Sequence, residues 1–396
     1  MVNPVHVVGY GMIDALGNNP SDCFPRFLDD VDYSVDFHPM IERGEKITRG
    51  LMVDYETLQL PDLDPKLMRT YTRSQLLAFH VVEQALKMSG LKPQQEVAVI
   101  FSSASNSYEA GNKIVNDLYN NKRINLRKLV NILPDMIPSH LCGHYGFMGA
   151  SVSMLASCAT SMFTMEYAQR LCDEYEYVVV GSSDYNVNVE LMLYFQALGA
   201  LGNYNCPFDD KREGFMMGDG AGCLILQSSQ KAKEYGSTIH ATLYPAGMAS
   251  DALDMTAPAP DARGAKIAIT KALKNADMHS PMPMIIDAVS GHATSTFIGD
   301  PIEYMAITDV LDKTPIYAPK SKIGHTIGAA SILETIYAIE SMKNRVIPHI
   351  QNLNKCSLDR KECLVKENLE LPNRTLRTLN NSFAFGGKCI SQVIEV

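Results

Sequence analysis

Ser151-Val152-Ser153-Met154-Leu155-Ala156-Ser157-Cys158-Ala159-Thr160-Ser161 changes its period halfway along. Ser151 to Met154 alternates polar and apolar side chains, as a strand does. Beyond Cys158, the residues Ala159, Met162, Phe163, Ala168 and Leu171 fall on one face of a helix. The stretch lies in a window, Met136 to Met165, that contains no Asp, Glu, Lys or Arg. That window is long enough to cross a bilayer. Pro138, His140, Gly143, His144, Gly146 and Gly149 nevertheless break it into short apolar groups. It reads as a buried strand–turn–helix at the centre of a soluble domain, and no membrane span is expected.

Outward from this centre, apolar runs alternate with helical patterns. His6-Val7-Val8-Gly9-Tyr10, Val97-Ala98-Val99-Ile100-Phe101, Tyr177-Val178-Val179-Val180-Gly181 and Cys223-Leu224-Ile225-Leu226 lie in the first part of the chain. Ile239 to Leu243, Met284 to Val289 and Cys389 to Ile394 form a second series. Strands apolar on nearly every residue are covered on both faces, and their alternation with helices predicts a layered α/β fold. Helices are expected over Ser74 to Ser89, from Ala159 onward, and through Ala329, Ile332, Leu333, Ile336 and Ile339. The charged run from Gln230 to Gly236 marks a seam, dividing the chain into 1–235 and 236–396.

The chain has 396 residues, 46% of them hydrophobic and 20% charged, enough apolar material for a large core and too little charge for a disordered chain. Its formal net charge of −9 argues against nucleic-acid binding, which needs clustered Lys and Arg. Nine cysteines without a CxxC pair resemble neither a secreted disulfide framework nor a zinc site, so a cytoplasmic location and no metal are expected. The N-terminus lacks the pattern of a signal peptide.

Cys158 at the start of a helix would meet free N–H groups and the positive end of the helix dipole, which favour a thiolate. Packing is the commoner fate of a cysteine, and the local sequence leaves both readings open. Two histidines join it. His292 follows an apolar run in Gly291-His292-Ala293-Thr294-Ser295-Thr296, and His325 opens a helix of small residues in Lys320-Ser321-Lys322-Ile323-Gly324-His325-Thr326-Ile327-Gly328-Ala329-Ala330.

Together these segments resemble the β-ketoacyl-acyl carrier protein synthases of the thiolase-like superfamily. Five motifs carry the resemblance in order. They are Val8-Gly9-Tyr10-Gly11-Met12 to Leu16-Gly17, Ser157 to Ser161, Pro207-Phe208-Asp209 with Arg212 to Phe215 and Gly218 to Gly222, Lys320 to His325, and Asn381 to Gly387. The second histidine, where starter-condensing relatives carry asparagine, resembles the elongating Cys-His-His branch. The resemblance implies a five-layered αβαβα fold of two similar halves. The first half, 1–235, would carry the nucleophile and the second, 236–396, the histidines.

It also implies a decarboxylative Claisen condensation of malonyl-acyl carrier protein with an acyl chain held on Cys158, in fatty acid or type II polyketide or polyene synthesis, an aryl-polyene system being one candidate. His292 and His325 would donate hydrogen bonds to the enolate, with Lys320 and Glu334 orienting His325. Backbone N–H groups of Cys158 and Phe385 would hold the oxyanion, and Phe385 would gate the site. Thr294 and Thr296 would contact the 4'-phosphopantetheine arm of the carrier, with no other cofactor bound. The partners implied are acyl carrier protein and a second subunit, as a homodimer or as a heterodimer with a related ketosynthase or chain-length-factor chain. An acidic carrier needs a basic patch, for which Lys66, Arg69 and Arg73 at helical spacing, and Lys122, Arg123, Arg127 and Lys128, are the candidates.

Several positions depart from the family pattern. Asp219 replaces the usual glutamate, Ala293 and Ala384 replace glycines, Ser331 replaces glycine, and Lys388-Cys389 replaces Thr-Asn. Alanine is strained wherever the backbone needs positive φ. Phe101 to Leu133 also matches poorly. These departures keep two rivals open: a non-catalytic partner subunit shaping another chain's tunnel, and a thiolase or Cys-His hydrolase.

Overall fold

Eleven strands form one mixed sheet among the described residues, which are 2–94, 96–280 and 283–396 of a computed structural model. The first half of the chain supplies β1 (Val5–Asp14), β2 (Val97–Ser102), β3 (Ser151–Val152), β4 (Tyr177–Asp184) and β5 (Gly220–Ser228). The second supplies β6 (Ala241–Leu243), β7 (Gly247–Ser250), β8 (Ala288–Ser290), β9 (Ile316–Tyr317), β10 (Arg377–Ala384) and β11 (Lys388–Glu395). Five helices position the site: α1 (Arg73–Ser89), α2 (Thr160–Gln169), α3 (Arg263–Asp277), α4 (Gly299–Leu311) and α5 (Ala330–Lys343).

Both halves follow one plan. In the first, β3, β2 and β4 run parallel, β5 turns antiparallel to β4, and β1 pairs antiparallel with β5. In the second, β9, β8 and β10 run parallel, β11 turns antiparallel to β10, and β6 and β7 pair antiparallel with β11. A short antiparallel contact between β1 and β6 at Val5–Val7 joins the two half-sheets.

The uninterrupted apolar runs have a simple cause. β2, β4 and β5 are buried at every residue because helices cover both faces. Helix α1 lies outside against β1, β5 and β4, and α3 lies outside against β7 and β11. Between the half-sheets run α2 and α5, touching each other. Helix α2 also meets β2, β4 and β11, and α5 meets β5, β10 and β11. The layers are therefore helix, sheet, helix, sheet, helix. The αβαβα order anticipated from the sequence is the order observed.

Local signals mark the boundaries. Thr72 and Gln75 make a reciprocal capping box at the start of α1, and Gly90 in the left-handed region (φ 66°) ends it. The alternating stretch at Ser151 is strand only as far as Val152, and a 3₁₀ turn over Ser157–Ala159 precedes α2. The run from Met284 enters the sheet only at Ala288, with Asp287 donating one backbone hydrogen bond to Arg377 before it. The uncharged window is divided among the helix Met136–Tyr145, β3, the turn and α2. No helix among the described residues is long and apolar enough to cross a membrane.

Gly11 lets β1 approach α1 closely: a Cβ there would sit 2.3 Å from the Val81 carbonyl oxygen and 2.7 Å from Gln84 Cβ. Backbone cannot yield as a side chain can, so Gly11→Ala is expected to cost about 1–3 kcal/mol of folding stability. Denaturant unfolding measures it, and an unchanged midpoint would show that α1 moves freely on the sheet.

Candidate active site

Cys158 sits in the 3₁₀ turn between β3 and α2. The residue before it, Ser157, has φ 53°, a left-handed conformation that costs a non-glycine residue about 1–3 kcal/mol. Thr160 holds the turn: its hydroxyl donates to the Ser157 carbonyl at 2.7 Å and accepts from the Ala156 N–H at 2.9 Å. From the other half, the Ser382 hydroxyl on β10 reaches the Cys158 carbonyl at 3.5 Å. The thiol is nearly buried and faces a cleft of about 420 Å³.

The second half repeats this construction. Ile327, at φ 49°, begins a 3₁₀ turn over Ile327–Ala329, and α5 starts at Ala330. The Ile327 N–H donates to Nδ1 of His325 at 3.2 Å. That nitrogen is thereby fixed as an acceptor, which leaves the proton on Nε2. Nε2 is buried without a protein partner, and His325 lines the cleft that holds Cys158.

His292 follows β8. Its Nδ1 lies 3.2 Å from Nζ of Lys320, which also bonds the Glu334 carboxylate on α5; the Lys320 and Glu334 side chains are 1% and 0% exposed. An ammonium donor at Nδ1 again leaves the proton on Nε2. Lys320 thus supports His292, correcting the expectation that Lys320 and Glu334 orient His325. Burial first, then Lys320 and the neighbouring His325, hold His292 well below the usual histidine range, and burial then Lys320 do the same to His325. Both rings are neutral, and they stand nearly perpendicular with centroids 5.7 Å apart.

The loop after His292 carries the strain expected at Ala293, which has φ 37°. Glu303 on α4 holds it, accepting from the N–H groups of His292 at 2.7 Å and Ala293 at 2.6 Å. Ala384 ends β10 without positive φ, and the left-handed residues of that hairpin are Gly386 and Gly387. The substitution at Ala384 is therefore unstrained.

Thr294, Thr296 and Phe385 line the same cleft, with the two threonine hydroxyls 3.1 Å apart. Burial pushes the Cys158 thiol up to about 11, against the pull of Lys320 and of its own backbone N–H. Desolvation therefore outweighs the start of the helix, whose N–H groups and dipole favour a thiolate. Sequence reasoning missed Glu303, Ser382 and Asp184. The Asp300 and Glu303 pair, three residues apart on the helix after the histidine loop, was the available signal for the first.

The basic candidates separate. Lys66 lies in the short helix Pro65–Met68, Arg69 follows it, and α1 begins only at Arg73, so the three share no helix. The Arg73 guanidinium stacks 4.5 Å above Tyr185 and 5.3 Å from Tyr55. Lys128 pairs with Asp117, whereas Lys122, Arg123 and Arg127 are exposed.

Comparison with known proteins identifies the family and the fold. The β-ketoacyl synthase N-terminal domain matches residues 2–232 and the C-terminal domain matches residues 240–354. A 3-oxoacyl-[acyl-carrier-protein] synthase homolog of Saccharomyces cerevisiae is 30% identical, over 78% of this chain and 76% of its own length. The 3-oxoacyl-[acyl-carrier-protein] synthase 2 of Coxiella burnetii is 26% identical over 97% of this chain and 96% of its own. Among solved structures, a β-ketoacyl synthase from Burkholderia phymatum superposes with a TM-score of 0.85 at 24% identity, covering 99% of both chains. A type II polyketide ketosynthase solved with its acyl-carrier protein superposes with a TM-score of 0.88 at 20% identity, covering 100% of both; these two show a shared fold. Two matched domains spanning most of the chain, over one repeated αβαβα plan, establish that this chain belongs to the β-ketoacyl synthase family.

Proposed function

We propose that the chain is an elongating 3-oxoacyl-acyl carrier protein synthase, an acyltransferase that forms carbon–carbon bonds in fatty acid or polyketide synthesis in the cytoplasm. The first half, 1–235, supplies the nucleophile and the second, 236–396, the two histidines. One observation carries the reading: two imidazoles, each with Nδ1 engaged by a donor and its ring in the cleft, stand beside a buried thiol.

In the first stage Cys158 Sγ attacks the thioester carbonyl of an acyl-carrier protein. A new C–S bond forms, the pantetheine sulfur leaves, and it receives the thiol proton. In the second, malonyl-carrier protein occupies the cleft with its pantetheine arm along Thr294 and Thr296. Its carboxylate leaves as CO₂, and the electron pair of the broken C–C bond passes to the thioester oxygen as an enolate. Nε2–H of His292 and His325 stabilises that oxygen, where fixed donors in a dry site contribute most. The enolate carbon then attacks the acyl-Cys158 carbonyl, whose oxyanion is held by the backbone N–H groups of Cys158 and Phe385. Cys158 leaves as thiolate and takes one proton from solvent. Lys320 and Glu334 position His292 throughout.

Acyl-carrier protein should add the mass of one acyl group to the chain and none to Cys158→Ala. CO₂ release from malonyl-carrier protein should fall at least about a hundredfold in His292→Ala and His325→Ala. A chain that takes up no acyl group of any length is a partner subunit, and turnover of acyl-CoA without CO₂ release points to a thiolase or hydrolase. Lys66 and Arg69 remain the docking candidates nearest α1, with Lys122, Arg123 and Arg127 as a second group.

Iodoacetamide alkylation of Cys158 should quicken about tenfold per pH unit between pH 7 and 9, because a thiol near 11 gains thiolate in proportion to hydroxide. A rate already flat at pH 7 would mean a resting thiolate. Lys320→Ala should cost about 3–5 kcal/mol of stability by stranding the Glu334 charge, and Lys320→Met with Glu334→Gln should recover most of it. Equal stability losses in the single and double variants would contradict that account.

The outer edge of β3 supports assembly with a second ketosynthase-like subunit. Ser151–Val152 ends the sheet, flanked by exposed Met148 (73%) and Leu155 (57%). Met148→Asp with Leu155→Asp should halve the mass seen by light scattering. An unchanged assembly would place the interface elsewhere.

A further inference from the structure

We propose that Asp184, at the end of β4, is a positioning residue for His325, acting across the boundary between the two halves. The proposal rests on the functional reading above for the chemistry it assists, though not for the geometry.

Asp184 is fully buried, and both of its carboxylate oxygens accept hydrogen bonds. One oxygen accepts from the hydroxyls of Ser103 at 2.7 Å and Ser105 at 2.8 Å and from the Ser105 N–H at 2.8 Å. The other accepts the Ala329 N–H at 3.0 Å. Ala329 closes the 3₁₀ turn that begins at Ile327, and Ile327 fixes Nδ1 of His325. A carboxylate on the first half-sheet therefore clamps the turn that sets the tautomer of a histidine in the second.

Two further facts point the same way. Gly328 fits only because it has no side chain: a Cβ would lie 2.6 Å from the second Asp184 oxygen and 3.0 Å from Ala104 Cβ. The reverse grip exists as well. Ser382, on β10 of the second half, reaches the Cys158 carbonyl at the first turn and accepts a hydrogen bond from Ser331 at 2.8 Å. Each half thus holds the other's strained turn. The grip on the histidine turn is the charged one, and a charge-assisted hydrogen bond is the stronger kind.

Asparagine at 184 cannot reproduce this clamp. Whichever way its amide is turned, one NH₂ faces backbone N–H groups, either of Ala329 or of Ser105. In the full-length chain, nitrogen NMR of labelled histidine should show His325 protonated on Nε2 alone. Asp184→Asn should mix its two tautomers. In the same variant, CO₂ release from malonyl-carrier protein should fall about tenfold with its KM within about twofold, while acyl transfer to Cys158 changes by less than about threefold. In a His325→Ala background, Asp184→Asn should add less than about twofold, because its effect passes through that ring. Should Asp184→Asn fail to fold, Gly328→Ala disturbs the same clamp without removing a charge and is read by the same measurements.

An unaltered His325 signal, or an equal loss of CO₂ release with His325 already removed, would overturn the proposal and leave Asp184 a merely structural residue. A native chain that neither acylates nor releases CO₂ would defeat the functional reading. The NMR comparison would still decide the role of Asp184.

Discussion

The Lys320–Glu334 ion pair is sealed between two half-sheets, and the chemistry of the centre depends on it. Burying two charges is costly, and well-packed apolar residues often serve stability as well. What the pair adds is direction. An ammonium held by a carboxylate presents a fixed donor to Nδ1 of His292, and it suppresses protonation of both imidazoles. A half-solvated lysine would do neither. The dryness that raises the cost of the pair also keeps the imidazoles neutral and the thiol protonated at rest.

The same centre is built twice. In each half the chain leaves the edge strand of the sheet and reaches a 3₁₀ turn with one left-handed non-glycine residue that leads into a helix of the middle layer, at Ser157 for the thiol and at Ile327 for the second histidine. Strain of this kind persists only where surrounding contacts over-determine it. Thr160 and Ser382 do so for the first turn, and Asp184 for the second. The cleft lies where the two turns meet, so neither half has a complete site.

Most of the frame was legible in the sequence because burial on both faces leaves an unmistakable apolar run, as at Tyr177–Val180. The change of period at Cys158 announced its turn. The two histidines showed themselves through the small residues around them. Partner assignments were less legible. Lys320 lies five residues from His325 and twenty-eight from His292, yet it contacts His292, because the short helix that carries it turns its side chain back toward β8. The thiol's state was illegible for a related reason: a helix start can be read from sequence, whereas the depth of burial belongs to the packing of both halves. Glu303 and Asp184 hold the histidine loops through backbone N–H groups, and such contacts leave no pattern in residue types.

The proposed chemistry turns on two buried imidazoles that stay neutral and donate from Nε2. A pH titration of labelled histidine nitrogens in the intact chain tests it most directly. His292 and His325 should keep their protons on Nε2 and should not titrate between about pH 6 and 8. A titration of either ring near the ordinary histidine value of 6.5 would contradict it.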